Sequence, residues 1–156
     1  MSGTLILIPT FNERENINPL LKSIFSQKIA ADVLILDDNS PDGTKKVVLE
    51  NKKKYKDRLH LINREKKQGL GKAYIEGFRW ALEKKYKKII QMDADLSHPP
   101  EKLIDIFNEL DSYDYVIGSR YINGIRVINW PLNRILLSIG ASWYVNLITR
   151  LPIKDP

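Results

Sequence analysis

The stretch that decides the fold is QMDADLSHPP, residues 91–100. The apolar pair Ile89-Ile90 leads into it and predicts a buried strand. Pro99 and Pro100 predict that a helix begins directly after it, because proline is tolerated in a first helical turn, where its missing N–H would have no partner. A strand, an acidic turn and a helix in this order are typical of a ligand site at the carboxyl edge of an α/β sheet.

Two carboxylates, Asp93 and Asp95, lie two residues apart at the end of that strand. In an extended chain this spacing puts both side chains on one face. Like charges held together repel each other unless a cation lies between them, and carboxylates suit Mg²⁺ or Mn²⁺, which often bridge them to substrate phosphates. A polar turn that only caps the next helix explains the same residues, so both interpretations stay open. His98 is either a group beside the metal or a residue at the helix start.

Short apolar runs without alternation recur along the chain and predict strands that are buried on both faces. Besides the strand before Asp93, they are residues 5–8, 33–36, 59–62 and 115–117. Helical patterns separate these runs, so we expect a mostly parallel sheet with helices on both faces, an α/β fold.

The helices are predicted from apolar stripes and from breaker residues. The first begins at Glu15 or Asn16, because Pro19 fits only in a first turn. The second runs from Thr44 to Tyr55, and the third is opened by a tight turn at residues 69–71. The residues expected on its inner side are Ala73, Gly77, Phe78, Ala81 and Leu82. A fourth helix carries Leu103, Ile106, Phe107 and Leu110.

The composition excludes several classes of protein. With 156 residues and no cysteine, the chain suits one ordinary domain without disulfides or thiolate chemistry. The net charge of +6 is concentrated in two lysine runs, residues 52–56 and 84–88. Such runs are typical of solvated helix ends, and attraction to an anionic membrane surface is the alternative. Nucleic acid is not an expected partner, because no aromatic-rich basic motif accompanies the charge.

Charged residues follow four of the five predicted strands. They are Glu13, Asp37, Asp38, Asp93, Asp95 and Arg120. The carboxyl ends of parallel strands meet at one edge of a sheet, and packing alone does not require charges there. The chain has no Gly-x-Gly-x-x-Gly sequence, no Walker lysine loop and no Ser–His pair placed for nucleophilic attack. An acidic metal site with arginines remains, which suits the binding of a diphosphate.

Five ordered motifs carry a resemblance to a known family. They are PTFNEREN (9–16), DDNSPDGT (37–44), GLGKAY (69–74), MDADLSHP (92–99) and GSRY (118–121). In that order and spacing they resemble the inverting family 2 glycosyltransferases with the Rossmann-like GT-A fold. With WPLNR (130–134) they resemble the polyprenyl (dolichyl) phosphate mannose synthases among them. Where this chain has Phe11, the family often has tyrosine, so a hydroxyl is missing here.

The resemblance implies roles for particular residues. The expected nucleotide-sugar site is Pro9, Phe11, Glu13, Leu36, Asp38, Asp93, Ala94, Asp95 and Arg120. The expected metal ligands are Asp93, Asp95 and Ser97. The expected acceptor-phosphate site is Arg120, Arg134 and Ser138, and the expected catalytic residues are Asp95, Arg120 and Arg134.

The resemblance also implies an activity and its partners. The expected reaction moves mannose from GDP-mannose to a polyprenyl phosphate with Mg²⁺ or Mn²⁺, in the cytoplasm at the cytosolic face of a membrane. Residues 132–149 carry a helical apolar stripe, which indicates a core helix or a helix in the membrane interface. We expect peripheral membrane contact, with an anchoring domain or subunit as a possible partner.

The family continues past an Asp-x-Thr motif, whereas this chain stops at Asp155-Pro156. The expectation is therefore one GT-A domain over residues 1–156 that is incomplete at its C-terminal end. Two alternatives stay open. One is a polyprenyl-phosphate glucosyltransferase that uses UDP-glucose, and the other is a truncated, non-catalytic nucleotide-binding module.

Overall fold

The computed structural model describes residues 3–119 and 131–150, except for the side chain of Arg134. The chain divides into two compact units, Met1–Asp114 and Tyr115–Pro156. The first unit contains a sheet and the helices that cover it, and the described part of the second contains one long helix. Whether residues 1–156 form a single domain stays a prediction.

The sheet of the first unit has four strands, all parallel. They are β1 (Thr4–Thr10), β2 (Ala31–Asp37), β3 (Leu59–Asn63) and β4 (Lys88–Gln91). Their order in space is β3-β2-β1-β4, with Thr10 opposite Asp37 and Thr4 opposite Lys88. The strand order reverses between β1 and β4, and ligands of α/β proteins bind at the carboxyl ends of the strands at such a point.

Helices cover both faces of this sheet. They are α1 (Arg14–Ser26), α2 (Thr44–Tyr55), α3 (Leu70–Glu83) and α4 (Leu103–Glu109), with short 3₁₀ turns at Lys56–Arg58 and Pro100–Lys102. α1, α2 and α4 pack on one face, and α3 packs on the other. The prediction of an α/β fold with a mostly parallel sheet and helices on both faces is confirmed.

The strands are buried on both faces because alternate side chains supply two separate cores. Ile6, Ile8 and Ile35 pack under α1, whereas Leu7 and Leu36 pack under α3. Gly77 lets α3 approach the sheet closely. A Cβ at Gly77 would lie 2.9 Å from Leu36 Cδ1 and 3.1 Å from Leu7 Cδ1.

The predicted fifth strand is wrong. Residues 115–117 have no strand partner among the residues that the structure describes, and the described sheet ends at β4. Tyr115 is 75% exposed and Ile117 is 37% exposed. An apolar tripeptide is too weak a signal by itself, because a strand is stabilised by its neighbours in the sheet.

The predicted position of Pro19 in the first turn of α1 is also wrong, because α1 begins at Arg14 and Pro19 lies inside the helix. The loop after β2 supplies the reason. Asp42 Oδ2 accepts a hydrogen bond from the Arg14 N–H at 3.0 Å. Thr44 Oγ1 accepts one from the Glu13 N–H at 3.0 Å. These contacts start the helix earlier than its own sequence indicates.

On α3, Ala73, Gly77 and Ala81 are buried as predicted. The placement of Leu82 on the inner side is wrong, because its side chain is 69% exposed. The buried face of α3 is narrow, since small residues at this spacing already bring the helix against the sheet.

In the second unit, α5 spans Leu132–Thr149. The predicted stripe, Leu132, Leu136, Ile139, Trp143 and Leu147, is exposed. The choice between a core helix and a helix in the membrane interface stays a prediction. No helix in the described ranges has the length and apolar character needed to cross a membrane.

Candidate functional site

The carboxyl edge of the sheet is held together by Asp37, which is fully buried at the end of β2. Its Oδ1 accepts hydrogen bonds from Thr10 Oγ1 at 3.0 Å and from Ser40 Oγ at 2.6 Å. Its Oδ2 accepts one from the Ser40 N–H at 3.0 Å. The carboxylate is thus occupied by protein donors, so Asp37 fixes the ends of β1 and β2 relative to each other.

Asp38, the next residue, forms an ion pair with Arg64, which follows β3. Both side chains are almost completely buried. Arg64 Nε also donates to Glu76 Oε2 of α3 at 3.0 Å, and the Arg64 N–H donates to the Asp37 carbonyl at 2.8 Å. The guanidinium therefore links three elements and fixes the orientation of the Asp38 carboxylate.

The loop after β1 presents an aromatic ring at the same edge. Phe11 is 36% exposed, and Lys67 Nζ lies 3.9 Å from its ring centroid, a cation–π contact. Asn12 adopts φ of 62° and its N–H donates to Ser40 Oγ at 3.0 Å. Glu13 is half-buried, and its Oε2 accepts a hydrogen bond from Asn16 Nδ2 at 2.7 Å.

The acidic turn after β4 is far more open. The Asp93 side chain is 47% exposed, and its Oδ2 lies 3.8 Å from His98 Nε2. His98 Nδ1 accepts a hydrogen bond from the Asp93 N–H at 3.1 Å, which holds the ring beside the carboxylate. His98 is thus a neighbour of Asp93, two residues before the 3₁₀ turn at Pro100–Lys102.

Asp95 and Ser97 form the tip of this turn, where Asp95 Oδ1 accepts a hydrogen bond from the Ser97 N–H at 2.9 Å. Partial burial by itself raises the pKa of Asp95, but hydrogen bonds from the side chain and the N–H of Ser97 lower the pKa below its ordinary value, with a smaller electrostatic contribution from His98. Asp95 is therefore ionised at neutral pH. Leu96 between them has φ of 61°, a conformation that costs a non-glycine residue about 1 kcal/mol. Such strain is often found in turns at functional sites.

The donor set of this turn fits a divalent cation that also binds a ligand. No three His, Asp or Glu side chains form a metal cage within the described residues. Mg²⁺ commonly binds one or two protein carboxylates and takes its other oxygens from substrate phosphates and water. Two partly exposed carboxylates, Asp93 and Asp95, are what such a shared site requires.

Tyr74 of α3 lies close enough to the acidic turn for the charge of Asp93 to affect its pKa. Burial raises the pKa of Tyr74 to about 12, and the negative charge of Asp93 raises it further in the same direction. The phenol therefore stays protonated at neutral pH and remains a hydrogen-bond donor.

The other predicted site residues divide into three groups. Pro9 is half-buried at the end of β1, whereas Leu36 and Ala94 are buried, so a ligand would meet mainly their backbone. Arg120 lies outside the described residues. Arg134 and Ser138 lie on α5, one helical turn apart in sequence. The roles predicted for all these residues stay predictions.

Arg64 is the residue that the sequence analysis missed. It directly follows β3. This is the one predicted strand for which the sequence analysis named no charged residue at the carboxyl end. The rule applied to the other strands would have found it, because charges at carboxyl ends converge on one edge. Its pairing with Asp38 and Glu76 is visible only in the tertiary structure.

A profile of glycosyl transferase family 2 matches residues 5–153 of this chain. The chain is 40% identical over 153 residues to polyprenol monophosphomannose synthase of Mycolicibacterium smegmatis, which covers 97% of this chain and 58% of that protein. It is 39% identical over 151 residues to undecaprenyl-phosphate mannosyltransferase of Micrococcus luteus, with 97% and 62% covered. It is 41% identical over 158 residues to dolichol-phosphate mannosyltransferase of Pyrococcus furiosus, with 97% and 43% covered. The chain thus spans 43% to 62% of the length of these relatives.

Solved structures share the fold. Glucosyl-3-phosphoglycerate synthase of Mycobacterium tuberculosis is similar with a TM-score of 0.64 and 16% identity, over 99% of this chain and 54% of that one. A mannosyltransferase from Pyrobaculum calidifontis, solved in complex with GDP-Man and Mn²⁺, has a TM-score of 0.53 and 24% identity, over 60% of this chain and 28% of that one. These likenesses confirm the predicted GT-A fold.

Proposed function

This chain belongs to glycosyltransferase family 2, and from that premise we propose that it contributes to the transfer of mannose from GDP-mannose to a polyprenyl phosphate with inversion. The observation that carries the proposal is the identity of about 40% over 97% of the chain to relatives named for this transfer. The chain spans only 43% to 62% of the length of these relatives. The transfer activity of the whole protein is therefore itself a proposal.

The acidic turn would receive the diphosphate of the donor. Asp93 and Asp95 would bind Mg²⁺ or Mn²⁺, with Ser97 as a further ligand. When bound, the ion neutralises charge on the leaving diphosphate. The hydrogen bond from the Ser97 N–H and the neighbouring His98 keep the Asp95 carboxylate ionised and oriented before any ligand arrives, which limits the cost of ordering the site.

The nucleoside would lie at the ends of β1 and β2. Pro9, Phe11 and Glu13 would line this pocket, with the backbone of Leu36 and Ala94 nearby. Asp38 would accept hydrogen bonds from the base or ribose, and its ion pair with Arg64 supports this role. A carboxylate that is already oriented by a buried guanidinium pays little further entropy when a ligand binds.

An acceptor phosphate site requires positively charged side chains more than it requires a general base. A polyprenyl phosphate is already ionised near neutral pH, so its oxygen can attack the anomeric carbon without giving up a proton. The larger difficulty is to bring two anions together. Arg120, Arg134 and Ser138 would address it by binding the acceptor phosphate, with Arg134 and Ser138 one turn apart on α5.

The lipid acceptor implies contact with a membrane. α5 carries exposed apolar side chains that suit an interfacial helix, and the net charge of +6 suits an anionic surface. The proposed location is the cytosolic face of a membrane, with an anchoring domain or subunit as a possible partner.

Calorimetric titration of the 156-residue chain with GDP and with UDP, each with and without Mn²⁺, tests the donor half of this proposal. We expect GDP binding that requires the metal. Preference for UDP would favour the glucosyl alternative. If a folded chain bound neither nucleotide, the donor site would be incomplete in this chain and the non-catalytic alternative would gain support.

The acceptor half is tested by Arg134→Ala in a transfer assay with GDP-mannose and a polyprenyl phosphate. We expect unchanged GDP affinity and a rise in KM for the lipid phosphate, because a charge-assisted contact to phosphate is lost. Lys154→Ala removes a positive charge near the end of the chain and serves as the control. Equal kinetics of Arg134→Ala and the unsubstituted chain would remove Arg134 from the acceptor site.

A further inference from the structure

A pocket outside the candidate functional site lies at the outer edge of the sheet, where β3 is an edge strand. Its volume is about 280 Å³, and its lining residues are Lys52, His60, Leu61, Trp80, Lys84 and Tyr86. Lys52 belongs to α2, which covers one face of the sheet, and Trp80 and Lys84 come from and directly follow α3 on the other face. The pocket therefore straddles the edge strand and draws on both layers of helices.

The wall of this pocket is built from three aromatic rings. The centroids of the His60 and Trp80 rings are 4.9 Å apart, and those of Trp80 and Tyr86 are 5.9 Å apart in a stacked arrangement. The Tyr86 hydroxyl donates to the buried Asp32 Oδ2 at 2.8 Å. This anchor fixes the rings, so the wall is ordered without a ligand.

His60 Nε2 is buried and has no hydrogen-bond partner among the residues that the structure describes, which is rare for a buried side-chain nitrogen. Burial, reinforced by the charges of Lys52 and Lys84 and opposed by Asp32 and Asp57, lowers the pKa of His60. The imidazole is therefore neutral at pH 7. Neither Lys52 nor Lys84 forms a salt bridge with a carboxylate of the described residues.

We propose that this pocket binds a small phosphate ester, with the phosphate between Lys52 and Lys84 and beside the His60 ring. Two ammonium groups match the charge of a phosphate monoester, which is close to −2 at neutral pH. Leu61 and Trp80 supply apolar surface for the organic part of the ligand. The volume is near the lower end for small-molecule pockets, so the ligand is small.

This pocket is separate from the acidic turn. His60 is the second residue of β3, near the amino edge of the parallel sheet, whereas Asp93 and Asp95 follow the carboxyl end of β4. The C-terminal turns of α2 and α3 are nearby, and their carbonyl dipoles disfavour an anion. The two lysines are therefore essential to the site. Lys52 and Lys84, one from each lysine run, would bind the ligand and would not serve only as solvated surface residues.

Titration of the whole chain with inorganic phosphate and with phenyl phosphate, followed by ¹H–¹⁵N NMR, tests the proposal. We expect shifts of the His60 ring nitrogens and of the Trp80 indole N–H, with tighter binding of phenyl phosphate. The double variant K52Q/K84Q should weaken binding roughly tenfold or more, because hydrogen bonds to charged groups are lost. The control K53Q/K87Q removes the same charge from the same lysine runs outside the pocket lining and should bind normally.

Vesicles of phosphatidylcholine with and without phosphatidic acid distinguish a lipid headgroup from a free phosphate ester. Sedimentation with phosphatidic acid vesicles that K52Q/K84Q loses and K53Q/K87Q keeps would support the site with a headgroup as its ligand. The proposal is overturned if neither phosphate nor vesicles shift the His60 and Trp80 signals. It is equally overturned if the two double variants weaken binding to the same extent.

Discussion

Two pairs of aspartates lie at the carboxyl ends of parallel strands at the same edge of this sheet. One pair is buried and the other is open to solvent. Asp37, the last residue of β2, and Asp38, which follows it, are 0% and 7% exposed, and protein donors occupy them. Asp93 and Asp95 after β4 are open, with the Asp93 side chain 47% exposed. The hydrogen bonds of both residues within the described part of the chain come from their own turn.

The difference separates carboxylates that hold the fold from carboxylates that are available to a ligand. A buried carboxylate needs donors in the protein, since leaving it unpaired costs several kcal/mol. An exposed carboxylate keeps its lone pairs for a cation or a substrate and contributes little to stability. Asp38 is intermediate, because Arg64 supports it while it remains at the edge where the nucleoside is proposed to bind.

The largest effect is expected for Arg64→Leu, which would leave Asp38 buried without its partner. We expect the free energy of unfolding to fall by about 3–5 kcal/mol, the usual cost of breaking a buried ion pair. Urea denaturation followed by circular dichroism measures this loss.

Arg79→Leu is the matched control, because Arg79 is exposed on the same helix as Glu76 and a surface change should cost about 0.5 kcal/mol or less. The variant R64L/D38N should recover part of the stability, since it removes the unpaired charge. A loss of equal size in Arg64→Leu and Arg79→Leu would contradict the role given to the buried pair.

The second prediction sets Asp95→Ala against Asp37→Ala. Asp95→Ala should weaken metal-dependent GDP binding by at least ~100-fold, because loss of an outer partner of a metal ligand alone costs 10–100-fold. Its unfolding free energy should fall only a little, because the carboxylate is exposed. Asp37→Ala should instead lower the unfolding free energy by roughly 2 kcal/mol, since buried donors lose their acceptor. Calorimetry measures GDP binding by both variants, and urea denaturation measures their unfolding free energies. If Asp37→Ala lost GDP binding and Asp95→Ala lost stability, the ligand-binding role would belong to Asp37 and the structural role to Asp95.

The smallest effect concerns acid stability. Burial raises the pKa of Asp42, but hydrogen bonds from Thr44 and the Arg14 N–H lower the pKa below its ordinary value of 3.8. Since the pKa in the folded state is below that in the unfolded state, this carboxylate stabilises the fold above pH 3.8 and the stabilisation is lost as the pH falls through the lower value. Urea midpoints measured from neutral to acid pH should therefore fall less steeply for Asp42→Asn than for the unsubstituted chain. Identical slopes would show that Asp42 does not contribute.

Much of the fold was predictable because apolar runs and helical stripes are local patterns. The four strands of the sheet and the bounds of α2, Thr44–Tyr55, agree with the sequence analysis. The start of α1 was predicted to within one residue, but the place of Pro19 inside the helix was not, because the contacts that start α1 at Arg14 come from Asp42 in a distant loop and from Thr44 at the start of α2. Residues 115–117 failed as a strand for the same kind of reason, since a strand requires a neighbour that the pattern does not specify.

The sequence by itself determined the α/β class, the acidic turn at residues 92–98 and the five motifs that indicate the family, because each depends on residues close together in the chain. Only the tertiary structure decided which carboxylates are occupied and which are open. Arg64 reaches Asp38 across 26 residues, and Thr10 reaches Asp37 across 27. Burial and hydrogen-bond partners depend on what the fold brings together, and no local pattern of residues contains that information.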